Sequence, residues 1–157
     1  MKGRDLRELQ QDYSSVTLEK ISKGSLIETV LGEDDGLILK NGRSFRSKKL
    51  IVVGVDKEQV LCFGSILINT KINPNAGFSD EFLSAQYLLK QKEYPQFLKY
   101  DSYVDCAQVL PISATKLLRG KYYGRLSDND LIGIFNILET TDTLTTKQKK
   151  RFGIKRR

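Results

Sequence analysis

Cationic and hydroxyl side chains near the middle of the sequence have the types and spacing best suited to chemistry. Four cations fall within seven positions beside an apolar run, namely Arg43, Arg46, Lys48 and Lys49. Thr70 and Lys71 end a second apolar run, which a short turn separates from the first. If the two runs pair as a hairpin, both groups lie close together. Cations and a hydroxyl can then bind one phosphate and stabilise negative charge that develops on it.

Histidine is absent from the 157 residues. This excludes Ser-His-Asp and Cys-His nucleophile arrangements, histidine-ligated metals and an imidazole acid–base pair. Any chemistry must therefore use Arg, Lys, Asp, Glu, Ser, Thr, Tyr or Cys. Cys62 and Cys106 lie in apolar or alternating runs, which favours buried thiols over a disulfide framework. With a charged start and no long apolar segment, the sequence predicts a cytoplasmic protein.

The formal net charge of +7 is concentrated at the C-terminus. Residues 147–157 contain seven of the 26 basic residues and no acid, which leaves 19 basic and 19 acidic residues elsewhere. The sequence is interpreted as one domain over 1–146 and a basic tail over 147–157. Such a tail can bind nucleic-acid phosphates or serve only as a solubilising end. Its candidate RNA contacts are Lys149, Lys150 and Arg151.

The elements that must position these residues are predicted to form an α+β, β-rich domain with flanking helices. A short helix is predicted over 3–21, a barrel core over about 25–112 and a C-terminal helix over about 127–138, with Ser127 as its cap. Within the core, the β-branched and alternating runs predict strands at Ser25–Leu31, Gly36–Leu39, Leu50–Val55, Val60–Ile68 and Asp101–Leu110. A helix is predicted from Ser79 to about Gln91, and a short basic helix from Thr145 or Thr146 to Gly153.

Two stretches of the chain resemble the PemK/MazF family of bacterial toxins. The C-terminal one comprises Ser102-Tyr103-Val104, Ala107-Gln108-Val109 to Ile112, Leu117-Leu118, and Gly124-Arg125-Leu126-Ser127 leading to Leu131 and a helix. It is similar to the family's closing strand, short connection and Gly-x-Leu-Ser helix start. The N-terminal one comprises the apolar runs at 50–55 and 60–68, followed by Asn69-Thr70-Lys71. Together they cover about 25–139.

The resemblance implies a small SH3-like antiparallel β-barrel with attached helices, forming a homodimer without metal or organic cofactor. It implies the toxin of a toxin–antitoxin system, an endoribonuclease that cleaves single-stranded RNA and binds an antitoxin protein. In this interpretation Arg46 or Lys48 stabilises the phosphorane and Thr70 orients the phosphate. The flanking RNA phosphates contact Arg43, Lys49 and Lys71.

Three alternatives remain open at this stage. Where the family has an Arg-Pro pair, this chain has Ser47-Lys48-Lys49-Leu50, which suits a catalytically inactive member that binds nucleic acid or a protein partner. A structural protein whose barrel only mediates assembly is a further class. For each basic residue singly, the simplest explanation is a solvated loop or a protected sheet edge.

Several tyrosines lie near cations and can stack on bases in the manner of single-strand binders. These are Tyr94, Tyr100 and Tyr103, and Tyr122 and Tyr123 beside Lys121 and Arg125. Half-buried packing in the domain is the alternative for each of them.

Overall fold

The computed structural model describes residues 15–37, 39, 42, 44–70 and 77–154. Arg43, Lys71 and the first twelve positions of the predicted helix over 3–21 lie outside the described residues. Where that helix can be checked, the prediction is wrong: residues 18–20 form a single 3-10 turn, and Ser15 makes an isolated bridge to Lys121.

Seven antiparallel strands form one curled sheet in the described residues: β1 (Ser25–Gly32), β2 (Phe45–Val55), β3 (Cys62–Asn69), β4 (Gln86–Leu89), β5 (Ser102–Asp105), β6 (Leu110–Ser113) and β7 (Lys121–Arg125). Their order is β4-β5-β3-β2-β1-β7, and β6 pairs with β3. One side of β3 contacts β2, while its other side contacts β6 near its start and β5 near its end. The prediction of a β-rich α+β domain with a curled sheet is confirmed.

Strand β2 is longer than the sequence predicted. It begins at Phe45 instead of Leu50, so Arg46, Lys48 and Lys49 belong to the strand and not to a preceding loop. Its first half pairs with β1, where Glu28 is opposite Lys49 and Val30 is opposite Ser47. Polar residues are tolerated here because the described part of this strand end is exposed or only half-buried.

Other predicted strand limits also change. In the described part of Gly36–Leu39 there is no strand, because Gly36 ends a 3-10 turn with a left-handed φ of 94°. Val60 belongs to the β2–β3 turn, where Leu61 has a positive φ of 54°. The predicted strand Asp101–Leu110 contains β5 and only the first residue of β6, because a turn in which Asp105 Oδ1 accepts the Ala107 N–H at 3.0 Å ends β5.

Four short helices accompany the sheet in the described residues: α1 (Asp80–Ser84), α2 (Ala114–Leu118), α3 (Asp128–Thr140) and α4 (Thr146–Arg151). The predicted helix from Ser79 to Gln91 is wrong beyond Ser84, because Gln86–Leu89 pairs with β5 as strand β4. The C-terminal helix is confirmed, and Ser127 caps it by accepting the Asp130 N–H at 3.2 Å. The basic helix α4 is also confirmed, with Thr145 as its cap.

Residues 146–154, which the sequence assigned mainly to a basic tail, are part of the packed domain. Phe152 and Ile154 are buried in the core cluster that also contains Ile51 and Val104. A Cβ on Gly64 would lie 2.5 Å from Phe152 Cδ1, so the ring needs this glycine. The C-terminal segment therefore fixes the β2–β3 hairpin that carries the basic residues.

No helix in the described ranges has both the length and the apolar character needed to cross a membrane.

Candidate functional site

A cavity of about 350 Å³ lies where β2 begins and β3 ends. We call it the main cavity. Four cations line it, namely Arg46, Lys48, Lys49 and Lys99. Thr70 lines the same cavity, although it is 24 positions from Arg46 in the sequence. The main cavity therefore brings together three of the residues that the sequence singled out as catalytic, and Lys49 with them.

Neutral polar groups and one carboxylate complete the lining. The hydroxyls belong to Ser47, Thr70, Tyr100 and Ser102, the amide to Asn69 and the carboxylate to Glu28. Ile68 and Leu98, both buried, form the apolar part of the wall. Tyr100 is 67% exposed, so its ring is available to a ligand.

Because side chains alternate along β2, the polar residues at its start lie on two opposite faces of the strand. Ser47 and Lys49 share a face with Glu28 across β1, whereas Arg46 and Lys48 belong to the opposite face. All four residues line the main cavity. The cavity therefore extends along the start of β2, and cationic side chains from both faces of the strand line it.

Glu28 occupies the centre of the polar groups on one face. Its Oε1 accepts a hydrogen bond from the Tyr123 hydroxyl at 3.1 Å, and its Oε2 accepts one from the Ser47 hydroxyl at 3.3 Å. Lys49 is its cross-strand neighbour. Burial and the contact with Glu28 raise the pKa of Tyr123, so the phenol remains a donor at neutral pH. Two hydroxyl donors thus hold the Glu28 carboxylate at the cavity wall.

Lys48 is held by a different partner. Its Nζ donates to Asn69 Oδ1 at 3.0 Å. Partial burial, and secondarily the positive charge of Arg46, lower the pKa of the Lys48 ammonium. An ammonium with a lowered pKa gives up its proton more readily than an ordinary lysine.

The basic residues of helix α4 have structural partners. Lys149 is buried and its Nζ donates to the Glu139 carbonyl at 2.9 Å. Arg151 donates through Nε and Nη2 to the buried carboxylate of Asp56, at 2.8 and 2.7 Å. Of the three predicted RNA contacts in this segment, Lys150 is the exposed one. None of the three lines the main cavity.

The separation between the two basic groups follows from β2 itself. Asp56 comes directly after the C-terminal end of β2, whereas Arg46 lies near its start. At about 3.3 Å per residue, the strand path between them is roughly 30 Å. Arg151 therefore does not add to the charge of the main cavity.

Glu28, Lys99 and Ser102 also line the main cavity, although the sequence did not single them out. A signal for Glu28 was present, because it is the one charged residue within the otherwise uncharged strand Ser25–Gly32. A carboxylate at such a position needs specific partners, which here are hydroxyls and a lysine. Lys99 and Ser102 had no local signal, since the pairing of β5 with the end of β3 brings their segment to the cavity.

Within the described residues, no three His, Cys, Asp or Glu side chains are grouped so that they could hold a metal ion. The chemistry available from the lining is anion binding by four cations, proton transfer by a carboxylate and a lysine, and stacking on an exposed tyrosine. Comparison with models of known protein families and with curated proteins found no match.

Proposed function

We propose that the chain is an endoribonuclease that cleaves single-stranded RNA in the main cavity with its own side chains as acid and base. The observation that supports this most directly is the shared cavity of Arg46, Lys48, Lys49, Thr70 and Glu28. Cleavage of RNA by its own 2′-hydroxyl needs a base, neutralisation of the phosphorane and an acid for the leaving oxygen. This cavity offers a candidate for each requirement.

Glu28 is the candidate base. Its carboxylate removes the proton of the ribose 2′-hydroxyl, and the resulting oxygen attacks the adjacent phosphorus. The hydroxyls of Tyr123 and Ser47 keep the carboxylate oriented while it does so. In this role Glu28 extends the set of catalytic residues beyond those suggested by the sequence.

Arg46, Lys48 and Thr70 keep the roles expected from the sequence, with one addition. Arg46 neutralises the phosphorane and Thr70 orients the phosphate. Lys48 also gives a proton to the 5′-oxygen as the bond from phosphorus to that oxygen breaks, which its lowered pKa favours. The products are a 2′,3′-cyclic phosphate and a free 5′-hydroxyl. Lys49 binds the neighbouring phosphate, and Lys99 is a further candidate for that contact.

The wider context follows the family resemblance. We propose a PemK/MazF-like domain with an SH3-like barrel, acting in the cytoplasm as a homodimeric toxin whose partner is an antitoxin protein. The strand-rich curled sheet with a capped α3 is compatible with that fold. Expression of the chain alone should then stop bacterial growth, and coexpression of the neighbouring gene's product should restore it.

A non-catalytic RNA-binding protein is the second candidate. It is favoured by Ser47-Lys48-Lys49-Leu50, which stands where the family has its Arg-Pro pair. Both candidates require RNA in the main cavity, so binding alone does not separate them.

The deciding experiment uses a deoxyribose oligonucleotide that contains one ribonucleotide, which we call the single-ribose RNA. The purified chain, treated with a chelator, should cut after that ribose and leave a cyclic phosphate. The matched all-deoxy oligonucleotide should remain intact. Binding without cleavage, across a panel of sequences around the ribose, would support the second candidate instead.

A further inference from the structure

A second cavity, of about 460 Å³, opens beside the main one. We call it the side cavity. It is formed by Pro95, Gln96, Phe97 and Tyr123, together with four residues that also line the main cavity. Those shared residues are Glu28, Lys49, Leu98 and Lys99. The two cavities therefore meet along a common wall that carries two lysines and a carboxylate.

The lining of the side cavity differs in chemistry from that of the main one. Tyr123 provides an aromatic ring that packs against Phe97 with the ring centres 5.1 Å apart, and Pro95 adds an apolar surface. Gln96 is exposed and provides an amide that both donates and accepts hydrogen bonds. Apart from the shared wall, none of the described residues that line the side cavity is charged. It suits a flat, polar-edged and uncharged group.

The common wall suits a phosphate. Lys49 and Lys99 border both cavities, so one phosphate between them can have its two neighbouring nucleosides in different cavities. A nucleobase has a face that stacks on aromatic rings and an edge that hydrogen-bonds to an amide. The basic wall and the aromatic cavity therefore follow each other in the same order as a phosphate and a base in a nucleic-acid strand.

From this arrangement we propose that the side cavity is a nucleobase subsite, which binds the base next to the nucleotide held in the main cavity. The inference rests on the proposed function in that the strand is single-stranded RNA. Tyr123 and Pro95 contact the face of the base and Gln96 contacts its edge. Because Tyr123 also donates to Glu28, a nucleobase bound in the side cavity lies next to Glu28, the proposed general base.

The test measures binding of 2′-O-methyl RNAs, which cannot be cleaved through the 2′-hydroxyl. Lengths from two to six nucleotides, with degenerate sequence, are titrated against the full chain by fluorescence anisotropy. The nucleotide that first reaches the side cavity should tighten binding by about fivefold or more, the lower range for stacking one base on an aromatic side chain. An abasic nucleotide at that position adds the phosphate without the base and should give a clearly smaller gain.

The variants locate the effect. Gln96→Ala, an exposed substitution that should leave folding intact, should reduce the gain from the base-bearing nucleotide. Gln108→Ala is the matched control, because Gln108 is also exposed but lies in the turn between β5 and β6. An equal gain from the abasic and the base-bearing nucleotide, or a gain that Gln96→Ala leaves unchanged, would overturn the subsite.

The outcome is separable from that of the proposed function. Cleavage by the wild-type chain without a base-dependent gain would remove the subsite and leave the ribonuclease. A base-dependent gain without cleavage of ordinary RNA would keep the subsite on a non-catalytic binder. Absence of RNA binding at every length would overturn both.

Discussion

Lys48 Nζ donates a 3.0 Å hydrogen bond to Asn69 Oδ1, which links the start of β2 to the last residue of β3. The same ammonium has a lowered pKa because it is partly buried and lies near the charge of Arg46. The hydrogen bond suits a structural role for Lys48, whereas the lowered pKa suits a role as proton donor. The roles can be separated by kinetics.

Replacement of Lys48 by arginine should retain a cation but remove an efficient proton donor, because a guanidinium has a pKa far above that of the Lys48 ammonium and does not give up its proton. We expect kcat to fall by about 100-fold or more while KM changes little, since general acid catalysis contributes about 10²–10⁴-fold. Initial rates on the single-ribose RNA measure both constants. Lys57→Arg, on an exposed lysine beyond the far end of β2, is the control and should leave both unchanged. An unchanged kcat in Lys48→Arg would exclude Lys48 as the acid.

The pH profile provides a second prediction, for Arg46. The acid must be protonated, so the rate should fall as pH rises through the pKa of Lys48. Arg46 contributes to the lowering of that pKa by charge repulsion. Arg46→Ala should therefore raise the pKa of Lys48 and shift the alkaline fall in kcat to higher pH, besides reducing the rate. A fall at the same or a lower pH would contradict the assignment.

Glu28→Gln tests the proposed base with little change in shape. The amide oxygen can accept from one of the two hydroxyls, Tyr123 or Ser47, and the amide nitrogen can donate to the oxygen of the other, so we expect the free energy of unfolding to change by less than about 1 kcal/mol. The rate of cleavage should fall by about 100-fold or more because an amide cannot take the 2′-proton. Thermal unfolding and cleavage rates are measured together. Glu19→Gln, an exposed residue of the first 3-10 turn, is the matched control. A Glu28→Gln chain that cleaves normally would leave the base unassigned.

Strand β2 shows how much of this site the sequence could predict. The apolar runs at 50–55 and 60–68 predicted the hairpin, because continuous β-branched residues favour central strands. They did not predict that the strand continues back to Phe45, since Arg46 and Lys48 lack apolar periodicity. The pairing with β1, whose partner residues lie 13 to 21 positions earlier in the sequence, decides this extension.

Long-range pairing also explains the errors at β4 and in the C-terminal segment. Gln86–Leu89 lies directly after a capped helical turn, and its strand conformation comes from hydrogen bonding to β5. The charges of 147–151 indicated an exposed tail, but Phe152 and Ile154 anchor the segment in the core. A charge count cannot reveal two apolar anchors that follow the charges. Caps such as Ser127 and Thr145 were predictable because they depend on local sequence alone.

The Asp56–Arg151 pair should make stability depend on acid. Hydrogen bonding from Arg151 is the main cause that lowers the pKa of Asp56 in the folded chain, whereas the unfolded value is about 3.9. The pair therefore contributes fully above the unfolded pKa, and its contribution is lost as pH falls from about 4 toward the folded pKa. Urea unfolding across this range should show a falling free energy of unfolding.

Arg151→Ala leaves the Asp56 carboxylate buried without this partner. We expect a loss of about 2 kcal/mol or more at neutral pH, and a flatter dependence on pH below about 4. Arg119→Ala, at an exposed arginine, is the control and should keep the wild-type slope. RNA affinity should be little changed in Arg151→Ala, since Arg151 does not line the main cavity. A large loss of affinity in a folded Arg151→Ala chain would instead make this arginine an RNA contact.

Removal of residues 152–157 should destabilise the domain as well as reduce its positive charge. Phe152 is buried, its carbonyl oxygen would lie 2.8 Å from a Cβ on Gly54, and its ring fits against Gly64. Phe152→Ala should therefore lower the free energy of unfolding by about 3 kcal/mol or more, in the range for truncating a core aromatic residue. Gly64→Ala should also destabilise, because its Cβ would overlap the ring.

The charge of the same segment is tested without touching those anchors. Lys147 and Lys150 are exposed, so a Lys147→Gln, Lys150→Gln chain should keep the wild-type melting temperature. If RNA is bound mainly in the main cavity, this double variant should weaken binding less than Lys49→Ala does, at each salt concentration of a titration. A double variant with lower affinity than Lys49→Ala would transfer the principal RNA contact to helix α4. Because the anchors are intact in both chains, the difference would report charge and not folding.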